Sequence, residues 1–188
     1  MNKKARNYVI QLAALGALVG FAAGCASPAK PEAMVPKQFN IAHKHPYSTS
    51  LAVTGGRKTN PLWKSDISSE AFAQAVADSI KQSGVFSSVI NQGDSDYRLD
   101  VTLVKVITPN FGFDLTVTAV TEWRLTQVAS GKLVSEEYIS TPFTATVGDA
   151  FAAIARIRVA NEGAARENIK EGIRRLSELQ LPVKTAGN

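Results

Sequence analysis

Residues 113–125 read Phe-Asp-Leu-Thr-Val-Thr-Ala-Val-Thr-Glu-Trp-Arg-Leu. Phe113, Leu115, Val117, Ala119, Trp123 and Leu125 alternate with Asp114, Thr116, Thr118, Glu122 and Arg124. Successive side chains of a strand point to opposite faces, so this spacing predicts a long strand with one strongly apolar face. Such a face needs a second layer to cover it.

The flanking sequence supplies that layer. Upstream, Tyr97, Leu99, Val101 and Leu103 alternate with Arg98, Asp100 and Thr102, and Thr108-Pro109-Asn110 turns this strand into the next. Downstream, Ala129-Ser130-Gly131-Lys132 is a turn and Leu133 to Phe143 forms a further strand. Leu133, Ile139 and Phe143 share one parity and Val134 and Tyr138 the other, which a bulge or burial of both faces would reconcile. Nearer the start, Tyr47, Thr49, Leu51 and Val53 alternate with Ser48, Ser50, Ala52 and Thr54, and Gly55-Gly56 ends that run.

Two stretches have helical spacing instead. Phe72, Val76 and Ile80 recur every fourth residue. Asp66 or Ser68 can cap this helix, and Gly84 can end it in a left-handed conformation. Asn91 to Asp96 is a polar turn. From Asp149 to about Leu179, Ile154, Ile157, Ala164, Ala165, Ile169, Ile173 and Leu176 fall on one side, with Gly163 marking a bend or a close contact. Pro182 stops any continuation. The predicted architecture is a two-layer α+β domain. A four-stranded, mainly antiparallel sheet in the order β-α-β-β-β-α carries both helices on one face.

The composition agrees. The chain has 188 residues, enough for one core, with 45% apolar and 20% charged residues, which excludes wholesale disorder. One cysteine excludes an intrachain disulfide framework and a Cys-based zinc site.

That cysteine gives an address. Lys3, Lys4 and Arg6 precede a short apolar run, Leu12 to Ala23, and then Ala22-Ala23-Gly24-Cys25. The run is too short to span a bilayer and reads as a secretory signal peptide over residues 1–24. Its end resembles the bacterial lipobox. The resemblance implies diacylation of the Cys25 thiol, cleavage before it and acylation of the new amine. Three acyl chains would anchor the protein permanently, where one holds only marginally. An Asp after the cysteine resembles inner-membrane retention in enteric bacteria, but Ala26 and Ser27 stand here. The implied location is the outer membrane, facing the periplasm. Cleavage removes three of the 21 basic residues, leaving 18 against 16 acidic ones, a charge that argues against a nucleic-acid partner. Residues 25–38, with Pro28, Pro31 and Pro36, read as a flexible tether. Residues 39–182 then form the single periplasmic domain and residues 183–188 a tail.

Candidate chemistry is sparse. His43 and His45 could share a metal, but no Asp, Glu or Cys lies at ligand spacing, and a solvated loop explains them. Gly55-Gly56-Arg57-Lys58 follows a strand yet lacks the spacing of a phosphate-binding loop, so it reads as a tight turn. Asp94-Ser95-Asp96 lacks the glycine and glutamate of a calcium loop and reads as turn chemistry. Asp100, Asp114, Glu122, Glu136 and Glu137 lie on strands with no pair that sequence alone marks as catalytic. Trp123 reads as core, Trp63 as loop. No catalytic residue, metal or cofactor is assigned.

Several stretches are familiar together: Pro61-Leu62-Trp63-Lys64-Ser65, Ser83-Gly84-Val85-Phe86-Ser87, Thr146-Val147-Gly148-Asp149-Ala150-Phe151 and Glu162-Gly163-Ala164-Ala165-Arg166. They resemble a group of small Gram-negative outer-membrane lipoproteins without assigned activity. Element order is also similar to the lipopolysaccharide-assembly lipoprotein and to auxiliary lipoproteins of ABC-type lipid transporters. The resemblance itself implies no activity; an anchor, a tether, a compact domain and no visible catalytic set together predict a membrane-anchored, non-enzymatic binding or assembly module for an envelope protein or lipid. A hydrolase or transferase acting on envelope glycan or lipid through strand carboxylates is the alternative. The face of the sheet that needs no helix is where a partner would dock. Alternation places Thr102, Val104, Thr116, Thr118, Val120 and Tyr138 there, with Val104, Val120, Tyr138 and Thr118 as the candidate partner surface.

Overall fold

A computed structural model describes residues 26–57, 66–90, 94–109 and 112–182. The elements run α1 (Pro31–Met34), β1 (His45–Gly55), α2 (Ser69–Ser83), β2 (Phe86–Ile90), β3 (Tyr97–Ile107), β4 (Leu115–Gln127), β5 (Leu133–Ala145) and α3 (Ala153–Glu178).

The sheet has five strands in the order β2-β1-β3-β4-β5, not four. β1 is parallel to both β2 and β3, while β3-β4 and β4-β5 are antiparallel. The sheet is therefore mixed rather than mainly antiparallel. The cause is a crossover: α2 lies between β1 and β2 and returns the chain to the end where β1 began, so the next strand runs the same way. The chain then passes β1 once more to start β3. The Asp96 carboxylate accepts hydrogen bonds from the backbone N–H and the hydroxyl of Ser48, both at 2.8 Å, and the Ser95 hydroxyl lies 3.0 Å from that of Ser50. The acidic turn thus pins the connection to the outer side of β1.

Both helices cover one face. Phe72, Val76 and Ile80 of α2 and Ile169, Ile173 and Leu176 of α3 join Leu99, Val101, Trp123, Leu125 and Ile139 in one core cluster. A second cluster sets Val117, Ala119 and Ala145 under Ala160 and Ala164. Ser68 caps α2 by accepting from Ala71 N–H at 3.1 Å, and Gly84 ends it at φ 60°. α3 starts at Ala153 rather than Asp149, because the Asp149 carboxylate is taken up by the turn before it. Over 26 residues it is about 39 Å long. Gly163 is a packing contact: a Cβ there would meet the Phe143 ring at 2.2 Å, and one at Gly172 would meet Trp123 at 2.4 Å.

The segment read as a flexible tether is folded onto the domain. Ala26, Ala29 and Met34 are buried, and Pro31 sits in the first turn of α1, where its missing N–H costs nothing. Ala29 N–H donates to Asp66 O, Lys30 N–H to the Glu162 carboxylate and Arg166 to Ala33 O. The main core cluster therefore draws on residues from Ala29 to Leu181.

A polar knot joins α3 to the sheet. The Asn168 amide donates to Ala119 O (3.1 Å) and Ile139 O (3.0 Å), and its oxygen accepts from the Thr121 hydroxyl, which itself accepts from Trp123 Nε1–H at 2.8 Å. Asn168 and Thr121 are fully buried. Asn168→Leu keeps the branched shape but removes the amide that serves the Thr121 hydroxyl and the carbonyls of Ala119 and Ile139 in the core. We expect a loss of about 3 kcal/mol, read as a lower denaturant midpoint at unchanged slope.

Candidate functional site

The outer face of the sheet is built by the pairing register. Cross-strand rows place Thr54, Thr102, Glu122 and Tyr138 side by side, and then Lys105, Val120 and Ser140 in the next row. Ile107, Thr118 and Pro142 form a third row. Thr118, Val120, Tyr138 and Val104 thus stand together on adjoining rows of three strands. Val104 is 51% exposed and Tyr138 64%, while Thr118 and Val120 are half-buried by their neighbours. Among the described residues no helix covers them.

Two bulges shape this face. The register shifts between Leu103 and Lys105, so Val104 and Lys105 together oppose Val120. The shift turns Val106 back to the core, exposes Lys105 and sets Ile107 outward. Sequence alternation missed Lys105 and Ile107; the signal was Val104 and Val106 sharing a parity opposite to Leu103. A second shift, at Val134, reconciles the two parities of β5: Ile139 and Phe143 turn inward and Leu133 is left exposed.

The rim is charged and internally paired. Arg98 meets Asp100 at 2.9 Å, and Arg124 faces Glu136 at 3.6 Å. The Tyr138 hydroxyl donates to the Glu122 carboxylate at 2.9 Å. That bond, with the negative charge beside it, raises the phenol above its ordinary value. Threonine pairs Thr54–Thr102 (3.1 Å) and Thr116–Thr144 (2.8 Å) tie neighbouring strands across the open face. The result is an open polar surface with an apolar strip of Val104, Val120, Ile107 and the Tyr138 ring.

Elsewhere the candidate residues have structural work. His45 is buried against Phe86 and its Nε2–H donates to Leu176 O at 2.9 Å, so it is not half of an exposed His pair. Gly55 and Gly56 have φ of 82° and 98°, and a Cβ on Gly55 would strike Leu103 O at 2.2 Å. The Arg57 N–H donates to Ile67 O, ten residues on, which holds the end of β1 against the residues before α2. Glu137 pairs with Arg175 at 2.7 Å on the helix side. Glu171, beside Arg174 and Arg175, is held down to about 2 by their hydrogen bonds and charges. Cys25 and residues 58–65, including Trp63, lie outside the described residues.

No protein-family model matches the chain, and no curated protein does either. Solved structures do. Protein XCC0632 from Xanthomonas campestris, of family DUF330, superposes with TM-score 0.61 at 12% identity, covering 79% of this chain and 93% of its own. The minor lipoprotein from Acinetobacter baumannii reaches TM-score 0.44 at 7% identity, covering 69% of this chain and 91% of its own. Lipoprotein GNA1162 from Neisseria meningitidis reaches 0.39 at 13%, covering 53% and 84%. The first similarity is one of fold.

Proposed function

We propose that the chain is a lipid-anchored envelope lipoprotein whose open sheet face docks a partner. The address rests on the signal-like start and on Cys25 after Ala22-Ala23-Gly24. The docking reading rests on one observation: both helices lie on one face, and the other carries an apolar strip rimmed by charges. The carboxylates of that face are engaged with Arg98, Arg124 and Tyr138 on an open surface, which favours binding over hydrolysis. The partner is an envelope protein or lipid, and the location is the outer membrane, facing the periplasm.

Val120→Lys separates docking from folding. The site is open, so the variant should melt within about 2 °C of wild type. A photo-crosslinking residue at position 138 should form an adduct in cells carrying wild-type Val120 and none with Val120→Lys. An unfolded Val120→Lys would mean that the face is buried. A folded variant that keeps its adduct would place the binding surface elsewhere, with the Gly55–Ser65 loop next in line.

A further inference from the structure

Among the described residues, the most exposed aromatic side chains lie at the end of the domain where β1 and β3 finish. Phe113 is 86% exposed and Phe151 90%, with Ile107 and Val147 also exposed. They are far apart in sequence and close in the fold. Leu115 pairs with Ala145, so Phe113 lies two residues before one strand and Val147 two residues after its neighbour. Phe151 follows on the same connection, two residues before α3. Ile107 closes β3 beside Thr118.

This presentation is built rather than loose. The Asp149 carboxylate accepts from the Thr146 N–H (2.8 Å) and hydroxyl (2.9 Å). The Arg156 guanidinium donates to Ala150 O and Phe151 O at 2.8 and 2.5 Å. Two side chains are spent on fixing a loop whose aromatic ring then points into solvent. Four apolar residues on adjacent connections form a patch, and such a patch marks a surface that meets something apolar.

The path of the chain says what that is. Ala29 is held to Asp66, and Asp66–Ile67 lies against Gly56–Arg57 at the end of β1. From there α1 runs along α3 away from this end, from Glu162 toward Arg166. The residues before Ala29 therefore enter at the end that carries Phe113 and Phe151. Cys25 is four residues from Ala29, a reach of at most about 14 Å. An anchor there allows the domain no long leash.

We propose that this aromatic end is a lipid-contact surface: Phe113, Phe151, Val147 and Ile107 enter the membrane interface beside the N-terminal anchor and hold the sheet upright on the bilayer. Apolar rings with a nearby anchor are the pattern of two-signal interfacial binding. The inference rests on N-terminal anchoring, and its test supplies that anchor chemically, so missing acylation and missing lipid contact are told apart.

The chain from Ala26, which contains the described core and lacks Cys25, carries an N-terminal hexahistidine and is captured on phosphatidylethanolamine–phosphatidylglycerol vesicles with nickel-chelating lipid. Phe113→Cys, Phe151→Cys and Arg98→Cys each take an environment-sensitive fluorophore, and a melting curve checks each fold. Arg98 is the second residue of β3, roughly 30 Å from Ile107 at the other end of the strand. On capture, emission from positions 113 and 151 should rise severalfold and be quenched by lipid-borne nitroxide, with position 98 unchanged. Captured protein with water-like emission at 113 and 151 overturns the proposal. So does a soluble oligomer that Phe113→Ser with Phe151→Ser turns into a monomer while the lipid signal stays absent, since the end would then join copies of the chain.

Discussion

Val117→Asp unfolds the domain. Val117 is fully buried near the start of β4, in one cluster with Ala119, Ala145 and the small residues Ala160 and Ala164 of α3. An aspartate there would sit among apolar side chains, with Val106, Phe143 and Val159 packed against the cluster. Burying an unpaired carboxylate forces it to take up a proton or forces the helix off the sheet. The loss of at least about 4 kcal/mol is a large share of the roughly 5–15 kcal/mol that holds a domain together. Circular dichroism should show no cooperative melt where the wild type has one. An unchanged melting temperature would mean that the face is wrongly assigned.

That face was legible because Leu115, Val117, Ala119, Trp123 and Leu125 repeat with a period that only a one-sided strand explains. Both helices were legible for the same kind of reason. β2 was not: Ser87 and Ser88 are exposed, and a five-residue edge strand needs no apolar face of its own. Strand direction was also hidden, since alternation looks the same in parallel and antiparallel pairs and only the crossover through α2 decides it. The proline-rich stretch misled because composition reports stiffness, not docking. Lys30 and Ala33 are held by partners more than a hundred residues away, Glu162 and Arg166, and Ala29 and Met34 beside them are buried.

The candidate surface was legible in part. Val104, Val120, Tyr138 and Thr118 do gather on the open face, yet Lys105 joins them only through the bulge at Val104. A bulge inserts one residue and reverses parity beyond it, and a period of two cannot announce its own interruption. Phe113 was misread as inward because alternation was extended past the true start of β4 at Leu115. Its exposure is what draws attention to the aromatic end.

Cys25→Ala should abolish acylation and release the protein from the membrane while leaving the domain folded. Retention in this account depends on the acyl chains, with the aromatic end adding orientation. Each buried methylene contributes about 0.8 kcal/mol, so losing three chains outweighs anything four surface side chains can restore. The described core is built from residues at Ala26 and beyond, and the melting temperature is expected not to move. Metabolic labelling with an alkyne fatty acid in the producing cells reads the outcome directly. The account predicts label on the wild-type protein and none on Cys25→Ala; equal label on both, or none on either, would contradict it.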